Sequence, residues 1–330
     1  MVPLQPANAV MTEKLNALLD KGLQDGVFPG YHAAVGEGDT LLYTSFGGNL
    51  ALYPERVPMT DNALFDMASL SKLMGTTMAF LRLYEQGKVS PEQTLAEFFP
   101  ECHGKEEITL HQLLTHTSGI KAHFPLWLRG ITPDMAAETI LKEPLGLPTG
   151  QDVVYSCMGF ILLGKILEQI EGQPLDAIVR REVFLPLGME TACYNPPADA
   201  LCVATEGEIR GTVHDENAAF LGGVSGNAGV FASMADCIKF ATMLARGGEG
   251  YLQPETFAKA IRNDTPGMEE NRGLGFQLCS FGMGHTGFTG TSLYVNDKGR
   301  YAILLTNRVH PTRENHRLPA FRREFHKETL

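Results

Sequence analysis

Three short segments of this chain carry side chains suited to a single acyl-transfer site. Ser69 and Lys72 stand three residues apart in Ser69-Leu70-Ser71-Lys72, a spacing that places both on one face of a helix, a turn apart. A serine hydroxyl is a poor nucleophile until a neighbour takes its proton, and an amine at that distance is such a neighbour. Tyr155, in Tyr155-Ser156-Cys157, adds a phenol, and His285-Thr286-Gly287 is the third segment. This set supplies a base without a Ser-His-Asp arrangement.

Each segment has a plainer reading. A chain of 330 residues contains roughly one S-x-x-K by accident at ordinary residue frequencies, and here there is a second, Ser118-Gly119-Ile120-Lys121. Context separates them. Ser118 sits in the turn-like Thr115-His116-Thr117-Ser118-Gly119, whereas Ser69 opens an amphipathic helix whose terminal N–H groups and dipole favour negative charge. A serine there can also be a simple cap, and a tyrosine before a helix is usually a core residue. Gly282-Met283-Gly284-His285-Thr286-Gly287 fits G-x-G-x-x-G, but the strand-like Phe288-Thr289-Gly290-Thr291-Ser292-Leu293 follows it, where a dinucleotide site needs a helix. No G-x-S-x-G is present, which removes the α/β-hydrolase elbow. Cys157 as a nucleophile is weaker still, since nothing nearby completes a Cys-His-Asn pattern.

Apolar spacing at Met11, Leu15, Leu18 and Leu19 predicts a first helix over residues 10–23. Residues 31–35 and 41–46 read as strands around the turn Gly36-Glu37-Gly38-Asp39. Leu73, Met74, Thr77, Phe80, Leu81 and Tyr84 predict a helix over residues 71–85 that stops at Gly87. From Pro91 to about Cys193 the pattern is mostly helical, over residues 110–114, 133–141, 158–170 and 175–184. Ser233 followed by Asp236 reads as a capping box. Residues 293–295 and 301–306 flank the hairpin signal Asn296-Asp297-Lys298-Gly299. A basic amphipathic helix over residues 313–327 closes the chain, its charge read as a solvated face. Strands at both ends with helices between predict an α+β fold: an antiparallel sheet flanked by helices, built from residues 1–86 and 220–330, with a mostly helical domain of residues 87–219 inserted and the site at their interface.

Composition narrows the function classes. A net charge of −11 opposes nucleic-acid binding, which needs a basic surface. No apolar run is long enough for a membrane helix. Met1-Val2-Pro3-Leu4-Gln5-Pro6 lacks a basic segment followed by an apolar one, so the expected location is cytoplasmic. The six cysteines include no C-x-x-C pair and read as free, buried thiols. The ten histidines show no ligand spacing, so neither a metal nor another cofactor is expected.

In order and spacing, the three segments resemble the serine β-lactamase and penicillin-binding-protein superfamily, in its class C-like branch with esterases and D-amino-acid peptidases. The likeness spans nearly the whole chain: Phe65-Asp66-Met67-Ala68-Ser69-Leu70-Ser71-Lys72, then Ile108-Thr109-Leu110-His111-Gln112-Leu113-Leu114-Thr115-His116-Thr117-Ser118-Gly119-Ile120, then Gly222-Gly223-Val224-Ser225-Gly226-Asn227-Ala228-Gly229. The resemblance implies a β-lactamase/transpeptidase-like fold and a serine hydrolase that forms an acyl-enzyme at Ser69. Lys72, with a pKa lowered by burial, would take the serine proton, and Tyr155 would pass a proton to the leaving group. The oxyanion hole would be the backbone N–H groups of Ser69 and Phe288. Thr286 would line a strand edge, and Gly287 would let the substrate approach the backbone. Two positions depart from the family pattern. Cys157 stands where an asparagine usually contacts the acyl-amide group, and His285 where a lysine often faces a substrate carboxylate. Both lean towards a small neutral acyl ester. A D-alanyl peptidase or weak β-lactamase is the alternative within the fold, and a non-catalytic acylated binder the alternative outside enzymes.

Overall fold

The computed structural model describes residues 9–330, so the absence of a leader read from residues 1–6 lies outside the described residues. The strands are β1 (Gly30–Glu37), β2 (Thr40–Ala51), β3 (Val57–Pro58), β4 (Phe65–Asp66), β5 (Cys193–Tyr194), β6 (Val230–Ala232), β7 (Asn271–Arg272), β8 (Gln277–Cys279), β9 (Gly282–Thr286), β10 (Ser292–Val295) and β11 (Arg300–Thr306). The larger sheet runs β3-β2-β1-β11-β10-β9-β8-β7, so its centre joins the first strand to the last. That central pair is antiparallel, from Tyr31 opposite Thr306 to Glu37 opposite Arg300. A second, three-stranded sheet runs β4-β6-β5.

The central strands are apolar throughout because both of their faces are covered. Side chains alternate across a strand, and here each set meets a different core. Ala33, Val35, Ala302 and Leu304 pack with Leu15, Leu19, Phe321 and Phe325 of the first and last helices. Ala34, Ile303, Leu305 and Leu293 face the main core, with Leu73, Met74 and Phe80 of the helix that follows Ser69. The α+β fold with an antiparallel sheet is what the sequence pattern implies. The helices between residues 110 and 171 include Leu110–Leu114, Ala136–Lys142 and Cys157–Glu171.

Three helical expectations change in detail. The helix after Ser69 is π-helical over Lys72–Thr77 before becoming regular over Met78–Glu85, and Leu175–Val179 likewise continues as a π-helical Arg180–Phe184. The last helix is Leu318–Thr329 and starts five residues later than predicted. Arg313 is held outside it by Glu206 and Glu216, and Asn315 by the carbonyls of Gly26 and Val27. Pro319 lies in its first turn, where a missing N–H costs nothing. Its charge is not all solvated either, because Arg322 turns inward onto the carbonyl of Gly287 at 3.2 Å. The six cysteines are free, but only Cys102, Cys202 and Cys237 are buried. Cys157 and Cys193 are half-buried and Cys279 is exposed. Among the described residues no helix is long and apolar enough to cross a membrane.

Candidate active site

Ser69 lies in a turn between β4 and the π-helical segment. Ala68, just before it, has φ of +48°, a backbone conformation uncommon outside glycine and one that clusters at functional sites. The turn is held by Asp66, whose buried carboxylate accepts the N–H of Ala68 at 2.8 Å and, from a distant loop, the N–H of His214 at 2.7 Å. Lys72 is wholly buried. Its Nζ donates to Ser69 Oγ at 3.1 Å, to the Asn227 carbonyl at 3.0 Å and to Cys157 Sγ at 3.4 Å. A lysine has three N–H donors and no acceptor when charged, so these three partners fill it.

The charge on Lys72 differs from the sequence-based expectation. Burial disfavours the ammonium, but Coulombic attraction to the ionisable Cys157, Tyr155 and Asp215 side chains outweighs burial, so the pKa lies above that of a free lysine. Desolvation alone would have lowered it; the acidic neighbours reverse the sign. Lys72 is therefore an ammonium at neutral pH.

Tyr155 brings its ring to 4.9 Å from Lys72 Nζ and 5.3 Å from the Arg272 guanidinium, two cations within reach of one π system. Its hydroxyl is buried without a hydrogen-bond partner among the described residues. His116 packs against it at 4.6 Å between ring centroids and His285 at 5.7 Å. His116 is positioned by accepting the Ser156 N–H at Nδ1, 3.0 Å away. His285 lies on β9 with Nδ1 at 2.7 Å from the Thr286 carbonyl. Burial, then Arg272 and Lys72, push both imidazoles well below their usual range, so both are neutral. Cys157 opens the helix Cys157–Glu171, capped by Ser156 Oγ accepting the Gly159 N–H.

Ser69 and Phe288, the two expected oxyanion donors, line the same cavities. Neither the Ser69 nor the Phe288 N–H donates to a protein acceptor among the described residues. Both segments share one scaffold. Thr289 Oγ1 donates to the Asp66 carbonyl at 2.8 Å and Thr291 Oγ1 to the Met67 carbonyl at 3.0 Å. A Cβ on Gly287 would lie 2.6 Å from that Met67 carbonyl, so the close approach of the two segments requires glycine.

Two cavities open on Ser69. One, about 400 Å³, is lined by Tyr155, Arg272, His285, Thr286, Arg308 and Arg322. Arg272 pairs with Glu270, but Arg308 and Arg322 have no carboxylate partner among the described residues. They reach only the carbonyls of Phe288, Arg313 and Asn315, and of Gly287. Burial pulls Arg322 down to about 10, so it remains charged at neutral pH. The other cavity, about 310 Å³, is lined by His123, Cys157, His214, Asp215, Glu216 and Arg313. Both volumes lie in the usual range for small-molecule sites.

The structure brings Ser69, Lys72, Tyr155, Cys157, His285, Thr286, Gly287 and Phe288 to one place. It does not join the rival pair: Lys121 Nζ bonds Glu143 at 2.7 Å, while Ser118 Oγ accepts the Ile120 N–H. Sequence reading missed Asn227, Arg272, Arg308, Arg322 and Asp215. Asn227 lay within the family-like stretch 222–229, a usable signal; the arginines carried none in their local sequence. Trp127 is 37% exposed and lies tilted beside His123, 6.2 Å between centroids.

The Beta-lactamase family matches residues 15–327 of the chain. The chain is 28% identical, over 87% of its length and 80% of the relative's, to a protein of Escherichia coli O157:H7 named provisionally as a D-alanyl-D-alanine carboxypeptidase. Among solved structures it is similar to a class C beta-lactamase, with a TM-score of 0.79, 19% identity and 98% of each chain covered. It is also similar to EstCE1, a hydrolase with promiscuous acyltransferase activity, with a TM-score of 0.76, 19% identity and 93% and 98% coverage. At those identities the structural likeness establishes the fold.

Proposed function

We propose that this chain, which belongs to the β-lactamase family of serine hydrolases, forms an acyl-enzyme at Ser69 from small esters or amides whose leaving group carries a carboxylate. The contact that carries the acyl-enzyme reading is Lys72 Nζ on Ser69 Oγ at 3.1 Å, beside the unpartnered Tyr155 hydroxyl. Lys72, already charged, acts as a fixed cation. Tyr155 shuttles the proton from its phenolate form: the phenolate takes the Ser69 proton as the Ser69 Oγ–carbonyl bond forms, and the phenol returns it to the departing oxygen or nitrogen as the bond from carbonyl to leaving group breaks. Lys72 and Arg272, beside the ring, favour the phenolate that begins and ends this cycle. The Ser69 and Phe288 N–H groups stabilise the tetrahedral oxyanion, each such donor being worth about 3 to 4 kcal/mol. Water admitted through the same cleft then releases the acyl group by the reverse proton path.

A neutral ester of a short acyl group, as read from Cys157 and His285, fits the nucleophile but leaves Arg308 and Arg322 without an anion. Buried charge seeks a partner, and these guanidiniums favour a leaving group with a carboxylate, the class that includes D-alanyl peptides. The six free thiols support a reducing compartment, the cytoplasm. Two measurements test the reading. A fluorophosphonate probe should label the peptide containing Ser69, identified by mass. The acetate ester of 3-hydroxybenzoate should be cleaved at least about tenfold faster than phenyl acetate, and Arg322→Gln should narrow that gap. Equal rates on the two esters would return the neutral-ester reading, and labelling elsewhere would remove Ser69 as nucleophile.

A further inference from the structure

The two cavities beside Ser69 are lined by side chains of opposite charge that lack a direct ion-pair partner among the described residues. On the His285 side the unpaired groups are the guanidiniums of Arg308 and Arg322. On the Cys157 side the unpaired group is Asp215. Its Oδ1 accepts the Ala218 N–H at 2.8 Å, capping the helix Glu216–Phe220, and its Oδ2 has no hydrogen-bond partner among the described residues. The nearby cations are committed elsewhere. Arg313 bonds Glu206 and Glu216, and Lys72 spends its three donors on Ser69, Cys157 and Asn227. Asp215 lines the same cavity as Ser69 and Tyr155. The preceding residue, His214, is fixed to the nucleophile turn through Asp66, so Asp215 and Ser69 share one rigid frame.

We propose that Asp215 is a specificity-determining residue that receives a free ammonium group on the acyl side of the substrate, so that the preferred substrates are α-amino acyl esters or amides with an anionic leaving group. This rests on the acyl-enzyme reading above and deepens it: an ammonium in the Cys157 cavity and a carboxylate in the His285 cavity place the scissile carbonyl between them, over Ser69. An N-acylated substrate loses the positive charge and presents a neutral amide where an ammonium would pair directly with the Asp215 carboxylate. The Cys157 sulfur, in place of a side-chain amide, is a weak hydrogen-bonding group for such an acyl-amide. Discrimination here is a difference between two charge states in one cavity, with the small volume of about 310 Å³ limiting the side chain that the acyl group can carry.

The test uses three esters of 3-hydroxybenzoate that differ only in the acyl group: glycyl, N-acetylglycyl and butyryl, each corrected for spontaneous hydrolysis at pH 7. The expected result is a kcat/KM for the glycyl ester at least about thirtyfold above that of the N-acetylglycyl ester. Asp215→Asn keeps a good helix cap while removing the charge, and should collapse the ratio to within about threefold. A wild-type ratio near one, or one favouring the acetylated ester, overturns the inference without any variant being needed. An Asp215→Asn protein that loses activity equally on all three esters also overturns it, because Asp215 would then serve only to hold Lys72 charged. If even the butyryl ester is not turned over and Ser69 takes no fluorophosphonate label, the acyl-enzyme reading fails, and this inference falls with it.

Discussion

Lys72 is the residue at which local sequence and three-dimensional surroundings give opposite answers. Helical spacing brings it to Ser69, and isolated burial would make it a neutral amine ready to accept a proton. Tyr155, Cys157 and Asp215, from two distant segments, keep it charged. On the proposed reading it is then a fixed ammonium that orients Ser69 Oγ, and the proton path passes to Tyr155. Two serine variants check the choice of nucleophile. Ser69→Ala should lower ester turnover by more than about a thousandfold, in keeping with nucleophile deletions elsewhere. Ser118→Ala, which removes only a local turn contact to the Ile120 N–H, should retain most of it. Steady-state rates on the acetate ester of 3-hydroxybenzoate decide, and the opposite ranking would reassign the S-x-x-K pair. Tyr155→Phe should cost at least about a hundredfold in kcat, within the range of general acid–base groups. It should also leave fluorophosphonate labelling slower but still at Ser69.

At the scale of elements, the site depends on a loop passing unusually close beneath a helix. A Cβ on Gly226 would lie 1.9 Å from the Phe160 carbonyl, and Gly226 also faces Gly164 across the same contact. This approach lets the Gly226 carbonyl accept Thr76 Oγ1 at 2.8 Å and the Asn227 carbonyl accept Lys72 at 3.0 Å. Gly226→Ala should therefore destabilise the fold by about 2 kcal/mol or more through forced displacement of backbone. It should lower kcat alongside, because the Asn227 carbonyl moves off Lys72; urea denaturation and ester kinetics on one preparation report both. An unchanged denaturation midpoint would mean the loop moves freely and does not position Lys72. This loop also shows what was legible in the sequence. Ser69, Lys72 and Tyr155 could be read because their spacing within a helix turn or beside a cap is local. Ser233 and Asp236 were read as a capping box for the same reason and form one, with the Asp236 N–H donating to Ser233 Oγ. The π-helical turn at Lys72–Thr77 was not readable, since its apolar spacing is nearly that of an α-helix. Arg272, Arg308 and Arg322 meet the site only through the β7-to-β11 pairing and the last helix, and Asp215 only through the loop that His214 ties to Asp66; nothing in their neighbours in sequence announces it.

For the molecule as a whole, the distribution of buried imidazoles matters more than the net charge of −11. Burial lowers His32 to about 4 and His326 to about 3, and holds His116 and His285 well below the usual value of 6.5. The unfolded chain takes up protons at these four positions as pH falls through 6.5, while the folded chain does not until far lower pH. Stability is thus present in full above about pH 6.5 and is lost on acidification, by up to about 1.4 kcal/mol per pH unit for each group. Glu92 and Glu206, each lowered to about 2 by hydrogen bonds from Ser90 and Arg313 respectively, add losses of the same sign below about pH 4.5. Asp66 works the other way, because burial raises its pKa, but it is one group against four. Urea denaturation should therefore show a steep fall in unfolding free energy between pH 6.5 and 5, with little change between pH 7 and 8. His32 isolates one share of that slope, since its Nδ1 has no partner among the described residues and its ring packs edge-on to Phe46 at 5.4 Å. His32→Phe keeps an aromatic ring in that place and should flatten the acid limb by about 1.4 kcal/mol per pH unit while leaving the neutral plateau nearly level. An acid limb of unchanged slope in His32→Phe would mean that this imidazole is protonated in the folded chain, with the Asp61 carboxylate offsetting the cost of burial.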